Sequence, residues 1–445
     1  MEGRFFALAE RPGAAVTALA AVQWLMFMLA SVVTVPVVLG AQLGLSPAEA
    51  SAFVDRTFFV SGVITLLQVT VGHRLPIIEG PAGMWWGVWV VLIQITREQG
   101  ASIDGLLRDL ELALCLAALV YLVLAGFGWM ARVQRWFTPA VTGTFMTLLA
   151  LQLAQSLLGG MLGVSATGRV QPLQAAISVG LVGLSVWLTV RGRGLWRSLS
   201  VLVTLGVGWA LYGLLGWTNP GPRTEAWVAL PAWFPFGTPS WHSGIVLTGM
   251  LTMVILLSNV VSSVQVMVQA ARQPVDERGL RRGTLVSGAG TLMAGMFGTV
   301  GMVPLSTSAS LVALTGVASR LPFLIAAFAL TLLGLVPAVG HALSTLPESV
   351  GYAALFTVFG QLLGFGLKDF QALALDQRDL FVVTLSVMAG VGVFFIPSQA
   401  WAGLPPVLAY LLDNGLIVGV GLVLLLEHVV LKRRQAPVHS VERGT

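Results

Sequence analysis

Residues 74–87 read "RLPIIEGPAGMWWG", and residues 301–314 read "GMVPLSTSASLVAL". Each puts a proline, Pro76 or Pro304, and a run of small residues where an apolar segment should continue unbroken. Backbone broken in this way inside a bilayer leaves amides unpaired unless protein or a wet cavity covers them. The first stretch also sets a carboxylate, Glu79, between two isoleucines and a Gly-Pro-Ala-Gly run. An unpaired charge at bilayer depth costs a few kcal/mol or more. The stretch is therefore either a loop in water or a place where Glu79 acts.

The rest of the chain favours the second reading. Of 445 residues, 56% are apolar and 10% charged, whereas soluble domains carry roughly a quarter charged residues. A polytopic membrane protein follows. Arg4, Glu10 and Arg11 precede a first span about twice as long as a signal-peptide core, so no cleavable signal is expected. Fourteen stretches fit spans of about 20 residues, whole or broken by Gly and Pro. They lie at 15–41, 56–72, 76–97, 105–129, 136–156, 171–190 and 196–217, then 241–271, 281–300, 301–317, 321–342, 349–367, 378–397 and 412–432.

Charge orients these spans. With the N-terminus cytoplasmic, all but five of the 24 basic residues fall on the inner side, the exceptions being Arg56, Arg97, Arg108, Arg169 and Arg223. Thirteen or fifteen spans would put "LKRRQ" at 431–435 outside and spoil that split. The net charge of +5 thus reads as topology, not as a nucleic-acid surface. One cysteine, Cys115, and five scattered histidines leave no disulfide, metal site or bound cofactor to expect. No Lys or Arg falls in the middle of a span, which favours a neutral or weakly acidic substrate, although helix N-termini also bind anions.

The two sets of seven spans echo each other. The breaks at Pro76 and Pro304 both fall in the third span of their set, and Pro139 and Pro347 both open a fifth span. Seven is odd, so the second repeat enters the membrane inverted. Inverted repeats with matched broken spans point to a transporter site at the midplane. There, two breaks meet back to back and aim helix N-termini at a shared cavity.

Glu79 is the one acid placed deep in a span; Asp109, Glu111, Asp413 and Glu427 fall near span ends, within reach of water. It is read as a ligand for substrate N–H groups, a proton-coupling site, or a cap on the helix that follows. In the eighth span, Ser258, Ser262 and Gln265 share one face at i, i+4, i+7 spacing, with Asn259 beside them. Serines often bond their own helix, but an amide has four hydrogen-bonding positions to satisfy. After the second break come Ser306, Thr307, Ser308 and Ser310, as caps or as polar ligands. After the first come Gly83, Trp85 and Trp86, with Trp89 a turn beyond; one of the pair is read as stacking on a flat heterocycle, the alternative being an interface anchor. Gln23 is a further buried amide. No catalytic set competes, so no enzyme activity is expected.

With "QWLMFMLASVVTVPVVLG" at 23–40, the two broken spans resemble the nucleobase–cation symporter-2 family, the uracil/xanthine permease group also called nucleobase–ascorbate transporters. The likeness covers nearly the whole chain. It is nearest a divergent bacterial branch of purine permeases, sharing the "EGP-G-WWG" pattern at Glu79–Gly87, "SN" at Ser258–Asn259, and "LLDNGL" at 411–416. The resemblance implies an all-α fold of two inverted seven-span repeats, with short strands breaking spans 3 and 10. A core domain would comprise 15–130 and 241–342, and a gate domain 136–217 and 349–432. It further implies nucleobase import by movement of core against gate, coupled to a proton more than to sodium. Two copies would pair through the gate, in the inner (plasma) membrane with both termini cytoplasmic.

Departures from the family pattern matter. The usual span 8 acid is Ser258 here, or Asn259 if the register slips by one, and the acid after the span 10 strand is Thr307. The usual glutamine-histidine pair is Gln23-Trp24, and a common span 3 aromatic aligns with Gly83, with Trp85 as a substitute. The carboxylate would then have migrated to Glu79. Gly83 would make room for a bicyclic purine such as xanthine, hypoxanthine or guanine over uracil. The alternatives are an uncoupled facilitator and a same-fold carrier of another small substrate such as an anion.

Overall fold

A computed structural model describes residues 5–432 apart from 130–134, 165–167, 193–195, 197–198, 218–225, 274–276, 402–403 and 405. Helices α1 (Ala14–Val32) and α2 (Thr34–Leu43) are nearly continuous. Pro36 has no N–H to offer the Val32 carbonyl, and the chain resets at Val33. Helix α3 (Pro47–Thr70) starts on a capping box: Ser46 Oγ accepts from Glu49 N at 3.4 Å, and Glu49 Oε2 accepts from Ser46 N at 2.8 Å. Strand β1 (Glu79–Pro81), α4 (Gly83–Glu98) and α5 (Ile103–Gly126) follow. Next come α6 (Pro139–Met161), α7 (Pro172–Arg191) and α8 (Ser200–Leu214). Pro139 and Pro172 sit at first helical positions, where the missing amide costs nothing.

The second half runs α9 (Ser243–Ala270), α10 (Glu277–Met296), β2 (Met302–Pro304), α11 (Ser308–Thr315), α12 (Arg320–Leu333) and α13 (Pro337–Ser344). It ends with α14 (Glu348–Gln371), α15 (Gln377–Val393), α16 (Pro406–Asp413) and α17 (Gly415–Leu425). Packing divides into two groups. In one, α3 lies on α12 and α13, α5 on α9 and α10, and α1 on α12; in the other, α14 lies on α6 and α7, and α15 on α17. Contacts of α2 with α14 and of α4 with α6 join them.

Among the described residues, seven helices are each long and apolar enough to cross a membrane, or eight if α12 and α13 count as one bent span. Val179, Val186 and Val190 are exposed along one side of α7, a face that suits lipid because every helical amide behind it is bonded internally. The chain is a multi-pass membrane protein with a mostly helical fold.

Two expectations change. The stretch 321–342 is not one straight span: α12 and α13 meet at 81°, because Pro337 opens α13 and has no amide to continue the ladder from α12. Arg56 is not at the start of its span, since α3 begins at Pro47; it lies 6% exposed in the helix, its guanidinium over the rings of Phe53 and Phe236. Before α1, the chain runs extended beside the α11–α12 connection. Phe6 pairs in parallel with Val317, donating to Gly316 O at 2.8 Å and accepting from Ala318 N at 2.9 Å.

Close approach of α3 and α12 depends on Gly62, where a Cβ would fall 2.6 Å from Thr331 N. Small residues at such crossings let backbones touch. Gly62→Val is expected to cost about 1–3 kcal/mol through overpacking and to cut the yield of monodisperse protein on size exclusion. Gly180→Ala on α7, with nothing within 4 Å of its Cβ, should leave that yield unchanged.

Candidate functional site

Strands β1 and β2 pair antiparallel, with Glu79 opposite Pro304, Gly80 opposite Val303 and Pro81 opposite Met302. Ala82 N donates to Gly301 O at 3.0 Å, and Leu305 N to Ile78 O at 2.8 Å, extending the ladder at both ends. With two prolines in six strand residues the ladder cannot satisfy itself. Hydroxyls from neighbouring helices complete it. Ser61 Oγ donates to Glu79 O, and Glu79 N donates to Thr65 Oγ1 at 3.0 Å. Ser263 Oγ donates to Pro304 O at 2.8 Å, and Ile78 N donates to Ser308 Oγ at 3.1 Å. The hydroxyl of Ser308, a candidate ligand, is thus engaged in joining α11 to β1.

The Glu79 side chain is fully buried between α3 and α10. Its Oε1 accepts from Gln68 Nε2 at 2.6 Å and from Ser287 Oγ at 3.0 Å. Gln68 Nε2 also approaches Gly283 O at 2.9 Å and Ser287 Oγ at 2.8 Å. Three acceptors compete for two protons on that nitrogen. Oε2 of Glu79 has no hydrogen-bond partner among the described residues. Gln68, Ser287, Ser61 and Thr65 were not singled out by sequence reading. Ser61, Thr65 and Gln68 nevertheless follow the same i, i+4, i+7 spacing that drew attention to the eighth span. Glu111, expected within reach of water, is instead 1% exposed, one carboxylate oxygen accepting from Phe236 N at 3.3 Å.

Beyond the strand pair, α4 begins at Gly83. A Cβ at Gly83, the first residue of α4, would meet nothing within 4 Å. Ser306 and Thr307 are exposed, and Thr307, at the N-cap of α11, makes no capping bond with its side chain. Gln23 on α1 and Asn259 on α9 are half-buried. Asn259 Oδ1 lies 3.3 Å from Ser263 Oγ, so these two face β2, whereas Ser262 and Gln265 are exposed. Ser258 lies on α9, its side chain outside the described residues. The Glu79 carboxyl does not join the exposed Ser306 and Thr307 hydroxyls, being sealed behind β1.

The three tryptophans of α4 are each at most 1% exposed. The Trp85 ring packs so closely on Gly301 that no Cβ fits there. Trp86 meets Phe359 of α14 edge to face at 4.4 Å, and Trp89 stacks on Phe53 at 6.3 Å.

The chain as a whole has relatives. The xanthine/uracil permease profile, described as "Permease family", matches residues 15–399. The chain belongs to that family. YwdJ of Bacillus subtilis (strain 168), whose name assigns it provisionally to the purine permeases, is 31% identical over 408 residues, 90% of this chain and 93% of that one. The uric acid permease PucK of the same organism is 24% identical over 89% of this chain and 91% of its own. The xanthine permease XanP of Escherichia coli (strain K12) is 26% identical over 93% and 92%. Among solved structures, the transmembrane domain of the cyanobacterial bicarbonate transporter BicA has a TM-score of 0.62 at 16% identity, covering 95% of this chain and 99% of that one. SLC26A9 has 0.63 at 14%, covering 92% of this chain, which spans 65% of its length. Those two likenesses carry the fold alone.

Replacing Glu79 by leucine removes the acceptor of the buried Ser287 hydroxyl, at about 1–3 kcal/mol, while Gln68 Nε2 keeps Gly283 O and Ser287 Oγ. Glu79→Leu in detergent is expected to unfold several degrees below the unaltered protein, and Glu79→Gln, which keeps an acceptor oxygen, close to it. Equal unfolding temperatures for Leu and Gln would show that the cluster adds no stability.

Proposed function

We propose that this protein imports a nucleobase, with purines such as xanthine, hypoxanthine and guanine ahead of uracil, by alternating movement of a core against a gate. The carrying observation is the strand pair with its two departing half-helices. Their N-termini lie beyond the two ends of a three-residue ladder, and each presents a positive dipole end, the first amides of α11, those of Ser308, Ala309 and Ser310, being taken by the carbonyls of Leu305, Ser306 and Thr307. Gly83 at one of them leaves room for a bicyclic ring, and Ser306, Thr307, Asn259, Ser258 and Gln23 are the polar groups assigned to it, with Trp85 bracing β2 from behind. The relatives named for xanthine and uric acid support the same substrate class.

In this reading the core is 15–130 with 241–342, the gate is 136–217 with 349–432, and the two half-helices bring the spans to fourteen. Both termini are assigned to the cytoplasmic side of the inner membrane by the charge split, and pairing of two copies is assigned to the gate. Glu79 is the proton site. A buried carboxylate without a cation partner costs several kcal/mol, so exchanging a proton is the chemistry its pocket suits. Its carbonyl and amide hold β1, which couples that exchange to the strand and not to the base by contact. The sealing of the carboxyl away from Ser306 and Thr307 favours one second reading, an uncoupled facilitator.

Uptake of labelled xanthine, hypoxanthine, guanine, adenine and uracil in cells lacking their own permeases, with and without a protonophore, separates the two. Saturable uptake of a purine that collapses with the protonophore is expected, and Glu79→Gln should abolish accumulation in a folded protein. Uptake indifferent to the protonophore means a facilitator or a sodium-driven carrier. No uptake of any base overturns the substrate class.

A further inference from the structure

Away from the strand pair, a cavity of about 570 Å³ lies between the ends of α2 and α4 on one side and α6, α7 and α14 on the other. On α4 it is lined by Val90, Ile93, Gln94 and Arg97, an i, i+3, i+4, i+7 series on one helix face. The same face carries Gly83 and Trp86 nearer the strands. Arg97 and Glu348 are exposed at the rim. From Arg97 back to Trp86, and from Glu348 in to Phe359, the chain covers eleven residues each, about 16 Å of helix. Trp86 and Phe359, the pair in edge-to-face contact, join α4 to α14 on the strand side of this cavity.

Its lining is built for a polar, planar ligand. Gln42, Gln94 and Gln174 contribute amides, Tyr352 a phenol, Arg97 a guanidinium and Glu348 a carboxylate. Gln94 Nε2 donates to Ser156 Oγ, Gln174 Nε2 to Gly160 O at 3.1 Å, and Arg97 Nη2 to Gln42 O at 2.5 Å. These bonds fix the groups in place; they leave the amide oxygens for ligand N–H groups and the remaining guanidinium N–H groups for ring carbonyls. The volume falls within the range of small-ligand pockets, roughly 300–1,000 Å³.

The geometry points to a second, weaker binding station here, which receives the transported base before it passes the Trp86–Phe359 pair. The inference rests on the nucleobase reading above and deepens it. The ligand is an oxo-heterocycle with ring carbonyl and N–H groups and at most one negative charge, since Glu348 at the rim opposes more. In the orientation argued from charge, the station faces outward.

The test uses full-length protein in nanodiscs and tritiated xanthine as probe. Gly83→Leu fills the space by the strands and is expected to remove tight binding while a weaker component persists. Adding Gln94→Ala and Arg97→Ala should lower that remaining affinity about tenfold or more, with size exclusion and Arg97→Lys as controls for folding and charge. In cells, Gln94→Ala alone should raise the KM for xanthine about fivefold while the maximal rate falls less than twofold. The station is overturned if Gly83→Leu protein binds no xanthine, or if its weak binding survives the added substitutions. Uptake by the unaltered protein judges the substrate class separately: import with no residual binding in Gly83→Leu defeats the station alone. Residual binding without import keeps the station and defeats the transport reading.

Discussion

Two short strands laid against each other inside a membrane create a shortage of hydrogen-bond partners, and the surrounding architecture is organised around meeting it. Each strand is three residues long and each ends on a proline, Pro81 or Pro304. All six strand residues are buried, so each unpaired group there costs several kcal/mol. Ser61 and Thr65 on α3, Ser263 on α9 and Ser308 on α11 supply what the ladder lacks. Helices of both halves are thereby fixed to one strand pair, and the open space at Gly83 inherits its position from them.

The same shortage explains the division of labour among the polar residues. Hydroxyls and amides that face the strands are occupied by backbone, as Ser263 and Ser308 are. Those left exposed, Ser306 and Thr307, are free to meet a ligand. Glu79 belongs to neither group: its backbone serves the strand while its carboxyl sits in a separate pocket with Gln68 and Ser287.

Much of this was legible in the residues. Pro76 and Pro304 marked the two breaks, because proline cannot continue a helical ladder whatever its surroundings. The positions of the polar partners were harder to read. Ser61, Thr65 and Gln68 obey the helical spacing applied to the eighth span, yet they sit in the apolar second half of α3, after its charges at Glu49, Asp55 and Arg56. On α9 the spacing of Ser258, Ser262 and Gln265 was right for a face, but Asn259 and Ser263, one residue along, turn inward. Which of two adjacent faces meets a strand depends on a helix rotation that only tertiary packing sets. The tryptophans misled in a similar way: a ring beside a break looks available, and Trp85 is instead closed in by Gly301. The bend before Pro337 was missed because apolar residues run on through it.

The register that opposes Glu79 to Pro304 has a consequence in time. The two strands are separated by more than two hundred residues of sequence, and a ribosome adds about 5–20 residues per second. β1 therefore waits roughly 10–45 s inside the membrane before β2 exists. During that interval its main chain can lean on α3, which is made first and already carries Ser61 and Thr65. Helix α3 is in this sense a template that holds half of a sheet until the other half is synthesised.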